Sequence, residues 1–150
     1  MTLFFLAATA ISALSQPAPY TGEHDSWGEF SRYSVYQGGA LTVRLGTLYR
    51  KVPGQQVYWA KGVGVVEGGA TDSLKCPALK LVVESIERIP IPKPALSEIY
   101  VIESDATLYS VTVPYHGTNL SKLTITAGRG PVADWVENAL KKLESCWSSN

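Results

Sequence analysis

Two cysteines about 70 residues apart, each at one terminus of a helical pattern, constrain this chain more than any other feature. Cys76 stands directly before Pro77, and from Pro77 to Ile89 apolar side chains fall at Leu79, Val82, Val83 and Ile86, a helical spacing. Pro77 suits a first helical turn, where its missing N–H would have had no intrahelical partner. Cys146 follows a second stripe, Val132, Trp135, Val136, Ala139, Leu140 and Leu143, in a helix expected from Pro131 to about Ser145. Asp134 and Glu137 near its start, with Lys141 and Lys142 near its end, suit the helix dipole. In an oxidising compartment the simplest state of such a pair is one disulfide. Bridged α-carbons must approach within about 7 Å. A bridge from the start of one helix to the end of the other is therefore easiest when the two lie side by side and antiparallel. Closing so long a loop is worth roughly 4 kcal/mol in the chain-entropy picture.

Before the first helix, and again between the two, the pattern has period two. Phe30 to Tyr36 is rich in strand formers and ends at Gly38-Gly39; Leu41 to Tyr49 alternates and is bounded by Pro53-Gly54. Val57 to Val65 comes next, closed by Gly68-Gly69. Short Gly- or Pro-containing connections make these three an antiparallel meander. Pro90, Pro92 and Pro94 stop the first helix and form a stiff connector. Further strands are expected at Glu98–Glu103, Thr107–Val113 and Leu120–Ala127, with turns at Ser104-Asp105 and His116-Gly117. The chain thus reads as an α+β domain, antiparallel sheet in βββα–βββα order with two helices packed on one face and one disulfide.

The N-terminus carries an address rather than a fold. Leu3 to Leu14 is an unbroken apolar run, the size of a signal-peptide core and short of the roughly 20 residues that span a bilayer. Ala13-Leu14-Ser15 supplies small residues around a cleavage site, although the run is preceded only by Met1-Thr2, with no Lys or Arg. The expected organisation is a signal peptide over 1–15, an extended segment over 16–28 and one domain over 29–150. The mature chain is expected to be periplasmic or secreted, with no transmembrane span.

Net charge is +0, from 13 basic and 13 acidic residues, with no block of like charge. A duplex-binding domain needs a basic excess to displace counterions, so nucleic acid is not an expected partner. The glycine-rich stretch Lys61 to Gly69 departs from a dinucleotide fingerprint, which needs Gly where Glu67 stands, and from a P-loop; it reads as strand glycines that admit a close neighbour. Cys76 at a helix start has the setting of an activated thiol, but a disulfide removes it. Glu23, His24 and Asp25 cluster in the N-terminal segment, where a solvated stretch is the simpler reading than a metal site, and His116 reads as a turn residue. Asn119-Leu120-Ser121 is a glycosylation sequon that matters only in a eukaryotic secretory cell. No cofactor signature appears.

Alternation puts Leu41, Val43, Leu45, Thr47 and Tyr49 on one side of the second strand and Arg44, Leu48 and Arg50 on the other. If the first set faces the helices, Arg44 and Arg50 face outward, with Arg32 and Tyr36 joining from the first strand and Trp59 and Lys61 from the third. Guanidinium groups mixed with aromatics suit an anionic, sugar or peptide ligand; the plainer reading is a solvated face. The expectation is an exported, non-enzymatic binding domain whose partner is a protein, peptide or cell-envelope component. The alternative is a small secreted hydrolase whose acid–base groups converge only in space. N-terminal sequencing of the protein from its native host is expected to read from near Gln16; a chain retaining Met1 in the cytosolic fraction would contradict export.

Overall fold

Among the described residues, alternating apolar residues build six strands and two apolar stripes build two helices. The strands are β1 (Ser26–Ser34), β2 (Gly39–Leu48), β3 (Val57–Gly64), β4 (Ala70–Asp72), β5 (Leu108–Tyr115) and β6 (Thr118–Ala127). The helices are α1 (Pro77–Ser85), which runs on into a 3-10 turn at Ile86–Arg88, and α2 (Pro131–Trp147). This computed structural model describes residues 26–34, 39–48, 56–64, 69–91, 107–115 and 118–147. The strand expected at Glu98–Glu103 and both expected turns, at Ser104-Asp105 and His116-Gly117, lie outside them.

The strands form one antiparallel sheet in the order β4-β3-β2-β1-β5-β6. Phe30 pairs with Val43 on one side and Val111 on the other, and all three are buried against the helices. Alternation therefore turns Phe30 and Arg32 of β1, Val43 and Leu45 of β2, and Ala60 and Gly62 of β3 inward. From the helices come Leu79, Val82 and Val83, then Val132, Val136, Ala139 and Leu143. Full burial of such side chains is worth about 1.5–3 kcal/mol each. Phe30 meets Trp135 edge to face, ring centroids 5.2 Å apart.

A short strand that escapes the sequence pattern sets up the disulfide. β4 pairs Ala70, Thr71 and Asp72 with β3, and its end is closed by the buried Asp72. The Asp72 Oδ1 accepts the backbone N–H groups of Leu74 at 2.9 Å and Lys75 at 3.0 Å, and the Cys76 N–H reaches the Asp72 carbonyl at 2.8 Å. This turn places Cys76 at the start of α1, with Pro77 in the first helical turn as expected. Cys76 bridges Cys146, their α-carbons 5.7 Å apart. At the other end of the pair, the Trp135 Nε1 donates to the Ser85 Oγ at 2.8 Å. Start of one helix to end of the other, twice over, makes α1 and α2 antiparallel.

Two boundaries and one strand register differ from the sequence reading. β1 begins at Ser26, ahead of the Phe30 start that the sequence reading gives. β1 also carries a bulge between Ser26 and Gly28, which turns the Trp27 side chain inward to donate its Nε1 to the Thr47 Oγ1 at 3.0 Å. α2 extends to Trp147 and takes Cys146 into the helix. Of the strand glycines, Gly64 has φ +105°, and an added Cβ there would meet the Ala40 carbonyl, the close backbone approach that the sequence suggests.

Trp59 points away from the helices, as does Val57, yet both are buried. Trp59 pairs with Gly46, and its indole occupies the space where a Gly46 side chain would stand. Trp59→Ala is expected to cost about 3–5 kcal/mol, and Gly46→Ala about 1–3 kcal/mol by overpacking, both read by denaturant unfolding. A change below about 1 kcal/mol for Trp59→Ala would contradict this packing.

Candidate functional site

Of the residues that alternation assigns to the outer sheet face, the described ones are brought together only in part. Arg44 and Lys61 do stand side by side on it as a cross-strand pair. Arg44 is half-buried, with its Nε 4.0 Å from the Glu29 carboxylate. Trp59 shares the face but is only 5% exposed, so it offers no ring for stacking. Arg32 is on the opposite side, the parity of β1 placing it inward with Phe30; its Nη1 lies 3.3 Å from both Glu137 oxygens of α2. Tyr36 and Arg50 lie outside the described residues, as do Glu23, His24, Asp25 and His116. Further along the face, hydroxyl groups bond one another, Ser31 to Ser110 at 2.8 Å and Thr112 to Thr124 at 2.9 Å.

Glu137 is a docking point for α2. Besides Arg32 it accepts the Tyr109 phenol at 2.8 Å, and Arg32 and Tyr109 are cross-strand neighbours of β1 and β5. Beside this trio lies a groove of about 310 Å³, floored by Leu41, Val43 and Leu140 and edged by Lys141 and Glu144.

The larger feature is on the same side of the sheet at its other end. With α2 held over Arg32 and Tyr109, the inner face near the start of β1 and the end of β5 is left as a cleft of about 760 Å³. Its floor is Trp27, Val111, Val113, Leu123 and Ile125. Its wall is the end of α1 with the 3-10 turn and the residues just beyond it: Val83, Ile86, Ile89 and Ile91. The other lining residues include Thr47 of β2, Gln56 just before β3, Tyr58 of β3, Glu87 of the 3-10 turn and Lys122 of β6. Tyr58 is fixed at both backbone groups by Ser73, whose Oγ accepts the Tyr58 N–H at 3.1 Å and whose N–H reaches the Tyr58 carbonyl at 2.9 Å. Burial pushes its phenol pKa above the ordinary value, and the nearby Glu84 and Glu87 carboxylates push it further.

Sequence reasoning passed over this cleft. The inward parity of Val111, Val113, Leu123 and Ile125 follows from alternation, but that α2 leaves them partly uncovered depends on where Glu137 docks. Trp27 comes inward only through the bulge. Among the described residues, no three His, Cys, Asp or Glu side chains gather closely enough to hold a metal ion, and no helix is long and apolar enough to cross a membrane. No protein family, curated protein or solved structure is found to match the chain.

Tyr109 is raised as Tyr58 is, by burial first and then by the hydrogen bond to and charge of Glu137, with Arg32 opposing. Both phenols therefore hold their protons to higher pH in the folded protein than in the unfolded chain, whose tyrosines titrate at the model-peptide value of about 10. Folding stability is expected to fall as pH rises through about 10 and beyond, because the unfolded chain releases those protons first. Residue-resolved NMR titration checks this: Tyr58 and Tyr109 ionise above the model-peptide value, and Glu137→Gln lowers Tyr109 while leaving Tyr58 in place. A Tyr109 that does not respond to Glu137→Gln would contradict the pairing.

Proposed function

We propose that this chain is an exported, non-enzymatic binding domain whose ligand is an apolar component of the cell envelope or its surroundings, held in the cleft between α1 and the β5–β6 hairpin. The observation that carries this reading is an apolar floor that, among the described residues, the helices leave uncovered on the face they otherwise cover. Apolar surface facing water forgoes about 25 cal/mol per Å², and concave apolar surface with a few polar groups is the usual form of a small-molecule site. Its volume of about 760 Å³ lies within the ordinary ligand range of about 300–1,000 Å³. The disulfide is compatible with an oxidising compartment and so with the export expected from the N-terminal run. A hydrolytic site is less well supported, since the described residues lining the cleft include one carboxylate, Glu87, and no second acid.

The test uses Nile red, a neutral dye that brightens in apolar surroundings, with the oxidised protein. Binding is expected, and Val113→Trp, which fills the cleft, is expected to weaken it at least about tenfold without loss of the folded state. Arg44→Ala on the outer face should leave it unchanged. Loss of binding with Arg44→Ala and retention with Val113→Trp would move the site to the outer face.

A further inference from the structure

The hydrogen-bond donors that line the cleft are not spread evenly over it. Ser26 and Trp27 have spent theirs: the Ser26 Oγ donates to the Leu45 carbonyl at 3.1 Å, and the Trp27 Nε1 donates to the Thr47 Oγ1. Thr47 keeps its own hydroxyl proton, and Tyr58 keeps its phenol proton; neither has an acceptor among the described residues. Thr47 and Tyr58 are direct cross-strand partners on β2 and β3, both half-buried, and they share the inward parity of Leu45 and Ala60. Two unspent hydroxyl donors therefore stand side by side at one end of the floor. At its other end the floor is apolar, with Val111 and Val113 of β5 paired to Ile125 and Leu123 of β6. Four strand spacings separate β3 from β6, roughly 19 Å.

Among the described residues this floor carries no charge. Lys122, the one cation of the lining, is turned by the β5–β6 register to the outer face with Thr112 and Thr124. Glu87 stands exposed on the 3-10 turn. A charged head laid on the Thr47–Tyr58 pair would lose water without meeting a countercharge, whereas an uncharged carbonyl oxygen needs only a donor. Resting on the reading of the cleft as an apolar-ligand site, we infer that its occupant is an uncharged long-chain acyl ester, with its carbonyl oxygen at the Thr47–Tyr58 pair and its alkyl chain lying across the strands toward Leu123 and Ile125.

Displacement of Nile red from the oxidised protein tests the head group with the chain held nearly constant. The probes are methyl dodecanoate, dodecanoate and dodecyltrimethylammonium, each below its solubility or micelle limit, at a pH where dodecanoate is ionised. Each displacement constant is corrected for the dye's own affinity for the variant used. Methyl dodecanoate is expected to bind about tenfold more tightly than either ion. Tyr58→Phe removes one donor and keeps the ring; it is expected to weaken the ester about three- to tenfold while leaving the thermal unfolding midpoint nearly unchanged. An ion that binds as tightly as the ester, or an ester affinity unmoved by Tyr58→Phe, would overturn the ester inference and leave the apolar cleft standing. Failure of Nile red to bind, or of all three chains to displace it, would overturn both.

Discussion

The crosslink between Cys76 and Cys146 is the constraint on which the arrangement of this protein depends. It joins the first residue before α1 to the last turn of α2, and the Trp135–Ser85 hydrogen bond joins their other ends. Two ties at opposite ends fix the helices antiparallel and resist their sliding. A loop of this length contributes on the order of 4 kcal/mol through the unfolded chain, against a typical total of about 5–15 kcal/mol. The Asp72 turn makes the tie possible by holding Cys76 against the end of β4.

Glu137 then decides where the helix pair sits on the sheet. Arg32 and Tyr109 are partly exposed, so their bonds to it add modest stability. Their effect is positional: they come from adjacent strands and anchor α2 over one end of the inner face. The opposite end keeps its apolar floor and receives only the end of α1 as a wall. Among the described residues, the cleft is the part of the inner face that the two linked helices do not cover.

Much of this was legible in the residues. The stripes of α1 and α2 have clean helical spacing, and the cysteines flank them in a way that implies their antiparallel packing. The parity of β2 was also readable, because Leu41, Val43 and Leu45 stand against Thr42 and Arg44. β1 was not readable in this way: Phe30, Arg32 and Ser34 alternate with Glu29, Ser31 and Tyr33, both mixed sets. Arg32 goes inward because Phe30 must, and α2 then supplies Glu137. β4 is three residues long, too short to show a period. Trp59 lies outward as alternation suggests, but a glycine on the neighbouring strand gives it a seat, so it packs instead of offering a surface. Each of these outcomes is set by a cross-strand neighbour, which a single sequence does not place.

The central claim is that this domain works through the inner cleft and not through the outer face of its sheet. Isotope-filtered NMR, recording contacts between a bound alkyl chain and the methyl groups of the oxidised protein, tests it most directly. The account predicts contacts to Val83, Ile86, Val113 and Ile125, which line the cleft. Contacts confined to Leu48 and Val63, which point to the other side of the sheet, would contradict it.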